Sequence, residues 1–387
     1  QPGPLDVAAV MRAVSDLDLA DLSARRWYAA GVGAPVSARL AHAFALASDV
    51  VLALVDVETG QPGERIDRYA IPFVLRDGVV HEAADGDGAW RALAAAIAGG
   101  RTIPAMSRDG TSTAPGTNSG RVDAALVCRP SPGLADAWEG AAEAIGSAVE
   151  TALGRDEASS FAVIGDRVLL KTYRRGEAGL NPDLELTAYL SEEARFTGVP
   201  RLAGWAEAVT RDGGVTTLAM LQEHVPGARD VAEKTAEFIS GLIAAPGSVS
   251  LEWATDVAAD LGTLVAGLHA ALAAPPADAP DLAPREATHD DLKAWRWDAH
   301  RQLNLAIDAV GAVDPAVAVE LGRYASPIAA RLSRFEAVAA APTVMRIHGD
   351  LRLGRLLVAD DGYRVVGFEG DLLRSLADRR RPDSPLR

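Results

Sequence analysis

The chain has a single cysteine, Cys128, among 387 residues, so no disulfide can form within it. That scarcity points to a reducing compartment, read here as the cytoplasm, and to a thiol acting as a small buried hydrophobe. Lysine is almost as rare: only Lys171, Lys234 and Lys293 occur, and arginine supplies the other cationic side chains. A lysine in such a chain stands out wherever a compact point charge does what a guanidinium cannot. Basic residues are outnumbered, 38 against 53 acidic ones, for a net charge of −15. Binding a phosphate backbone needs a basic surface, so no nucleic-acid partner is expected. No run of about 18 apolar residues occurs, so no membrane-spanning helix is expected either. The first residues, Gln1-Pro2-Gly3-Pro4, have neither the basic nor the apolar segment of a secretory signal.

What is present is a globular composition, 49% hydrophobic and 24% charged, in a chain long enough for two or three domains. Val7, Val10, Met11, Val14 and Leu17 recur at helical spacing. From 36 to 83 the pattern turns β-like, with Val50-Val51-Leu52-Ala53-Leu54-Val55 and a returning strand over 68–75. A helix over 89–98, a Gly/Ser/Thr loop over 107–121 and a strand over 122–128 complete an α+β first third. Residues 161–173 form a hairpin signal around Gly165-Asp166. Asn181-Pro182-Asp183 combines an N-cap residue, Pro at the first helical position and an acid, opening a helix predicted to reach 196. Strands follow over 201–209 and 215–225. From 228 to 340 the pattern is helical, over 229–243, 250–274, 289–311 and 314–339, and the end returns to short strands around Asp360-Asp361-Gly362. The expected division is an N-terminal α+β cap over 1–145, a β-rich unit over 146–227 and a helical unit over 228–387.

A β-rich unit followed by a helical one is the order of a bilobal protein-kinase-like fold of class α+β. Its chemistry needs a cation on the nucleotide phosphates, a base facing the acceptor hydroxyl and oxygen ligands for Mg²⁺. Lys171, ending an apolar strand, is the candidate cation, with Glu185 on the next helix as its ion-pair partner. The loop at Glu157-Ala158-Ser159-Ser160 lies where phosphates would be covered, although it lacks a glycine-rich pattern. Gln222, Glu223 and His224 leave an apolar strand where an interlobe hinge would meet adenine. Asp350 in His348-Gly349-Asp350 is the expected base: glycine permits a tight loop and the carboxylate can accept a hydroxyl proton. His348 and Arg352 are substrate candidates beside it. The oxygen ligand expected five residues after Asp350 is instead Arg355, which has no acceptor atom. A second carboxylate is expected where Gly367 stands. Mg²⁺ requires oxygen ligands, which leaves Glu369 and Asp371 as metal candidates. Arg379-Arg380-Arg381 reads as a cationic turn or as partners for nearby acids, rather than as a phosphate site.

Several segments together resemble the actinobacterial maltokinases, relatives of the aminoglycoside phosphotransferases. They are Leu169-Leu170-Lys171-Thr172-Tyr173-Arg174-Arg175, Gly179-Leu180-Asn181-Pro182-Asp183-Leu184-Glu185, Val199-Pro200-Arg201-Leu202-Ala203-Gly204 and the closing Arg379-Arg380-Arg381-Pro382-Asp383. Arg26-Trp27-Tyr28-Ala29 is similar to that family's cap signature. The resemblance implies ATP- and Mg²⁺-dependent phosphorylation of maltose to maltose 1-phosphate, a trehalose synthase-like partner, and further helices after the last residue. It implies nucleotide roles for Lys171 and Glu185, a base at Asp350, metal-binding Gln at 355 and Asp at 367, and a metal-associated Glu at 369. This chain departs at 355 and 367. Three readings stay open: a maltokinase-like sugar kinase, a pseudokinase that binds or scaffolds, and a kinase of another sugar, amino sugar or antibiotic.

Overall fold

The computed structural model describes residues 5–25, 28, 33–60, 65–106, 123–138, 142–155, 159–245, 252–275, 279–334 and 342–386. The predicted loop over 107–121 and most of the Arg26–Ala29 signature lie outside them. The chain forms two units, one of Gln1–Leu268 with His348–Arg380, the other of His269–Ile347 with Arg381–Arg387.

In the first unit, Pro35–Ala45, Val50–Thr59 and Arg65–Arg76 form an antiparallel sheet, extended by Val79–Glu82 and Arg175–Gly176. The run Val50–Val57 is buried on both faces. Strand alternation sends Val51, Ala53, Val55 and Val57 to one side, against Val10, Val14 and Leu22 of the N-terminal helices. Val50, Leu52 and Leu54 go to the other side, against the helix Ala89–Ala98. That helix is apolar nearly all round, and it shares its core with a second sheet.

The second sheet has seven strands in the order Thr102–Pro104, Ala124–Pro130, Leu202–Thr210, Val215–Glu223, Val168–Tyr173, Ser159–Ile164 and Glu150–Arg155. It crosses the boundary expected at 145/146, because Ala124–Pro130 pairs with Leu202–Thr210. Without that pairing, Leu202–Thr210 would be an open edge. Cys128 sits in this sheet with its thiol pushed up to about 12 by burial. The helix predicted to reach 196 is α-helical only over Pro182–Ala188 and continues as a π-helical turn, Tyr189–Glu193. The helices Val231–Ala244 and Glu252–Leu272 follow, and Leu356–Ala359 with Gly362–Val365 forms a hairpin that also pairs with Arg229–Asp230.

In the second unit, Asp314 ends His289–Val313 and caps Pro315–Leu332, so the two helices turn back on each other. Thr288 and Asp291 form a reciprocal capping box at the start of the first. Among the described residues no helix is long and apolar enough to cross a membrane.

Candidate active site

Lys171 lies on Val168–Tyr173 between Met220 and Phe161 of the neighbouring strands. It is 3% exposed, and its ammonium stands 5.7 Å from the Phe161 ring centre and 5.3 Å from that of Tyr173. Such a charge must be paired. Nζ donates to Asp183 Oδ2 at 2.6 Å and to Glu369 Oε2 at 2.7 Å, and both carboxylates are buried. Asp183 also accepts the Tyr173 hydroxyl at 2.9 Å and the Phe368 N–H at 2.8 Å. Burial pushes the Asp183 carboxyl up, but the Lys171 charge and these donors prevail and hold it below the ordinary carboxylate value.

The partner expected for Lys171 was Glu185, and the structure corrects this. Successive helical residues turn by about 100°, so positions 183 and 185 face nearly opposite ways. Asn181 accepts the Asp183 N–H at 2.9 Å and Pro182 opens the helix, which aims Asp183 at the lysine strand. Glu185 instead receives Arg380, with Nη2–Oε1 at 2.7 Å and Nε–Oε2 at 3.2 Å. Arg379 donates to the Glu369 carbonyl at 2.9 Å and to Glu177. These two arginines therefore serve acids and the backbone. In the sequence Asp183 reads as a helix-start acid. The signal that could have found it is redundancy: Asn181 already caps the helix, so an acid in its first turn is available for another task.

Ser159 and Ser160 were expected on a phosphate loop. They lie instead on the strand Ser159–Ile164, paired with Tyr173 and Thr172, and are buried. The Ser159 hydroxyl donates to Glu369 Oε1 at 3.4 Å; Glu157 and Ala158 lie outside the described residues. At the expected hinge, Gln222 is buried in register with Leu202 and Leu169. The N–H groups of Glu223 and His224 donate to the Arg201 and Arg167 carbonyls at 2.8 and 2.9 Å. Those two donors are consumed inside the protein, so an adenine would need others.

The loop holding Asp350 turns at Gly349, where φ is +79° and a Cβ would come within 3.1 Å of Gly370 Cα. His348 is buried, its ring 4.7 Å from that of Phe368. Its Nε2 donates to the Val366 carbonyl at 3.1 Å, so Nδ1 is the acceptor for the Asp350 N–H at 3.3 Å. A neutral imidazole thus sets the loop, and burial takes its pKa down to about 4. The ordinary value is about 6.5, so the unfolded chain binds a proton that the fold excludes between pH 6.5 and 4. Stability contributed by neutral His348 is therefore lost as pH falls through that window, by about 2 kcal/mol between pH 7 and 5. Urea unfolding at the two pH values should show this drop, and His348→Gln should remove most of it.

Asp350 has 30% of its side chain exposed, and its Oδ2 accepts Arg355 Nε at 3.1 Å and Arg352 Nε at 3.2 Å. Oδ1 meets no donor among the described residues. The strand expected over 364–371 stops at Val365, because Gly367 and Gly370 take φ values of +79° and +72°. Arg355 closes a 3₁₀ turn, Leu353–Arg355, and its carbonyl accepts the Val366 N–H at 3.0 Å. Its side chain then lies across Gly367: a Cβ at that position would stand 3.3 Å from Arg355 Cδ and Nη1. A side chain at 367 would need the guanidinium to give by a few tenths of an ångström.

The remaining metal candidates are engaged by their own chain. Glu369 holds Lys171 and Ser159, while Asp371 accepts the Leu373 N–H at 3.0 Å and lies 3.5 Å from Arg374 Nε. No group of three His, Cys, Asp or Glu among the described residues is placed to hold a metal ion. A divalent cation about 4 Å from Arg355 would meet a repulsion of about 8 kcal/mol at an effective dielectric of about 20. These residues do not fit Mg²⁺.

No family model matches the chain. In sequence it is 30% identical over 323 residues to a glucosamine kinase of Streptacidiphilus jiangxiensis, covering 82% of this chain and 64% of that protein. It is 27% identical over 233 residues to a glucosamine kinase of Mycolicibacterium smegmatis, covering 59% of this chain and 53% of that protein. The chain thus spans less than two thirds of the length of these relatives. In structure it matches a glucosamine kinase in complex with glucosamine, ADP and inorganic phosphate, with a TM-score of 0.64 at 23% identity, covering 97% of this chain and 76% of the other. A second glucosamine kinase crystal form gives 0.65 at 24% identity with the same coverage. This chain has the fold of the glucosamine kinases. The relatives found are sugar kinases, as the sequence resemblance led one to expect, but they are named for glucosamine where that resemblance pointed to maltose.

Proposed function

We propose that this chain acts as an ATP-dependent sugar kinase whose acceptor is an amino sugar of the glucosamine class. The observation that carries the reading is the Asp350 loop, set by neutral His348 and leaving Oδ1 to a hydroxyl, on a fold shared with glucosamine kinases. In this reading Asp350 orients the acceptor hydroxyl and takes its proton as the oxygen attacks the γ-phosphorus. The bond from that phosphorus to the bridging oxygen breaks, and a sugar phosphate and ADP leave. Lys171, fixed by Asp183 and Glu369, is the cation on the nucleotide side. Maltose is the acceptor that the maltokinase resemblance implies, and a trehalose synthase-like partner rests on that resemblance alone.

The test is ADP release with glucosamine, N-acetylglucosamine, glucose, maltose and an aminoglycoside. Glucosamine should exceed maltose at least tenfold in kcat/KM, about 1.4 kcal/mol of discrimination. A preference for maltose would overturn the acceptor assignment. The pseudokinase reading is favoured by one observation, the Arg355 side chain lying across Gly367. Binding of sugar or nucleotide with no ADP release from any acceptor would establish it instead.

A further inference from the structure

The loop expected to carry a metal carries a fixed positive charge. Around Asp350 stand Arg352 and Arg355, so one carboxylate meets two guanidinium groups. Arg355 is three-quarters or more buried, with 16% of its side chain exposed against 60% for Arg352. Its position is set three ways: by the 3₁₀ turn, by the bond between its carbonyl and Val366, and by the bond from Nε to Asp350. Gly367 completes the seat. Its missing Cβ leaves room for the guanidinium, and its φ of +79° is one that L side chains rarely adopt. An Asp here would be strained and would press on Arg355 as well. The two departures from the family pattern, at 355 and 367, therefore pack closely on each other: a Cβ at 367 would stand 3.3 Å from the Arg355 side chain.

We infer that the Arg355 guanidinium is the resident cation of this site, and that the site takes the phosphates of a nucleoside di- or triphosphate without a divalent metal. A guanidinium stays charged at any working pH, and its planar fork matches phosphate oxygens. It needs no oxygen ligands, and among the described residues no group of three His, Cys, Asp or Glu is placed for a metal. The inference rests on the nucleotide-binding part of the proposed function.

Calorimetric titration of ADP into the whole chain, once with EDTA and once with excess MgCl₂, tests it. The two dissociation constants should agree within threefold. Arg355→Gln should weaken ADP binding in EDTA about tenfold, about 1.4 kcal/mol, and Arg355→Lys should keep most of the affinity. The double variant Arg355→Gln/Gly367→Asp should become metal-dependent, binding ADP at least threefold tighter with Mg²⁺ than without. Tightening by more than threefold with Mg²⁺ in the unsubstituted chain would overturn the inference while leaving the nucleotide reading intact. So would an Arg355→Gln variant that binds ADP unchanged in EDTA. No ADP binding under either condition would overturn the nucleotide reading, and the inference with it.

Discussion

Asp350→Asn should lower glucosamine-dependent ADP release by about 10²- to 10⁴-fold, the usual contribution of a positioned general base. The substitution keeps shape and one acceptor oxygen but removes the charge that draws off the hydroxyl proton. Because proton removal belongs to the transition state, the loss should fall on kcat with KM for the sugar little changed. Asp350 is partly exposed and both of its arginine contacts fall on Oδ2. The midpoint of thermal unfolding should therefore move by only a few degrees, since partly exposed ion pairs contribute little, about 0–1 kcal/mol. Initial rates measured beside a melting curve separate the two effects. Turnover within about threefold of the parent would remove Asp350 from the role of base.

Much of this organisation was legible in the sequence, and the exceptions have physical causes. Strands and helices with strong periodicity were placed within a few residues: Val215–Glu223, Val231–Ala244 and Glu252–Leu272 all fall where expected. The Asp350 loop was legible because glycine beside a chemically apt carboxylate is a local signal. The pairing of Ala124–Pro130 onto Leu202–Thr210 was not, because strand partnership depends on residues some eighty positions apart. Nor was the Lys171 partner. Two acids on one helix start look alike in sequence, and only the cap geometry decides which one turns toward the strand. The exchange at 355 and 367 was visible as two separate departures. Their close packing on each other appears only when the φ of Gly367 and the path of Arg355 are known.

Asp183→Ala should lower unfolding stability by about 3–5 kcal/mol, the usual cost of removing one partner from a buried ion pair. The change removes one of the two carboxylates that accept from Lys171 and takes the Asp183 acceptor from the Tyr173 hydroxyl and the Phe368 N–H. Each buried donor left unmade costs about 1–3 kcal/mol. Asp183 is also the side chain through which the lysine strand grips the Gly367–Glu369 segment, so its loss should loosen the setting of Glu369 as well. Asn at 183 should recover little, because its amide group cannot accept from both an ammonium and a hydroxyl through one oxygen while serving Phe368. A control at Asp371, with 40% of its side chain exposed, should cost no more than about 1 kcal/mol. The pH dependence distinguishes this carboxylate from His348. An acid whose folded pKa lies below its unfolded value of about 3.9 stabilises at every pH above that value, and the stabilisation is lost only as pH falls through the folded pKa. Urea unfolding of Asp183→Ala should therefore lie below the parent by the same amount at pH 7 and pH 5. The drop between those two pH values should persist in the variant, because it belongs to His348. A deficit that vanishes at pH 5 would show that Asp183 is not held as a carboxylate by Lys171.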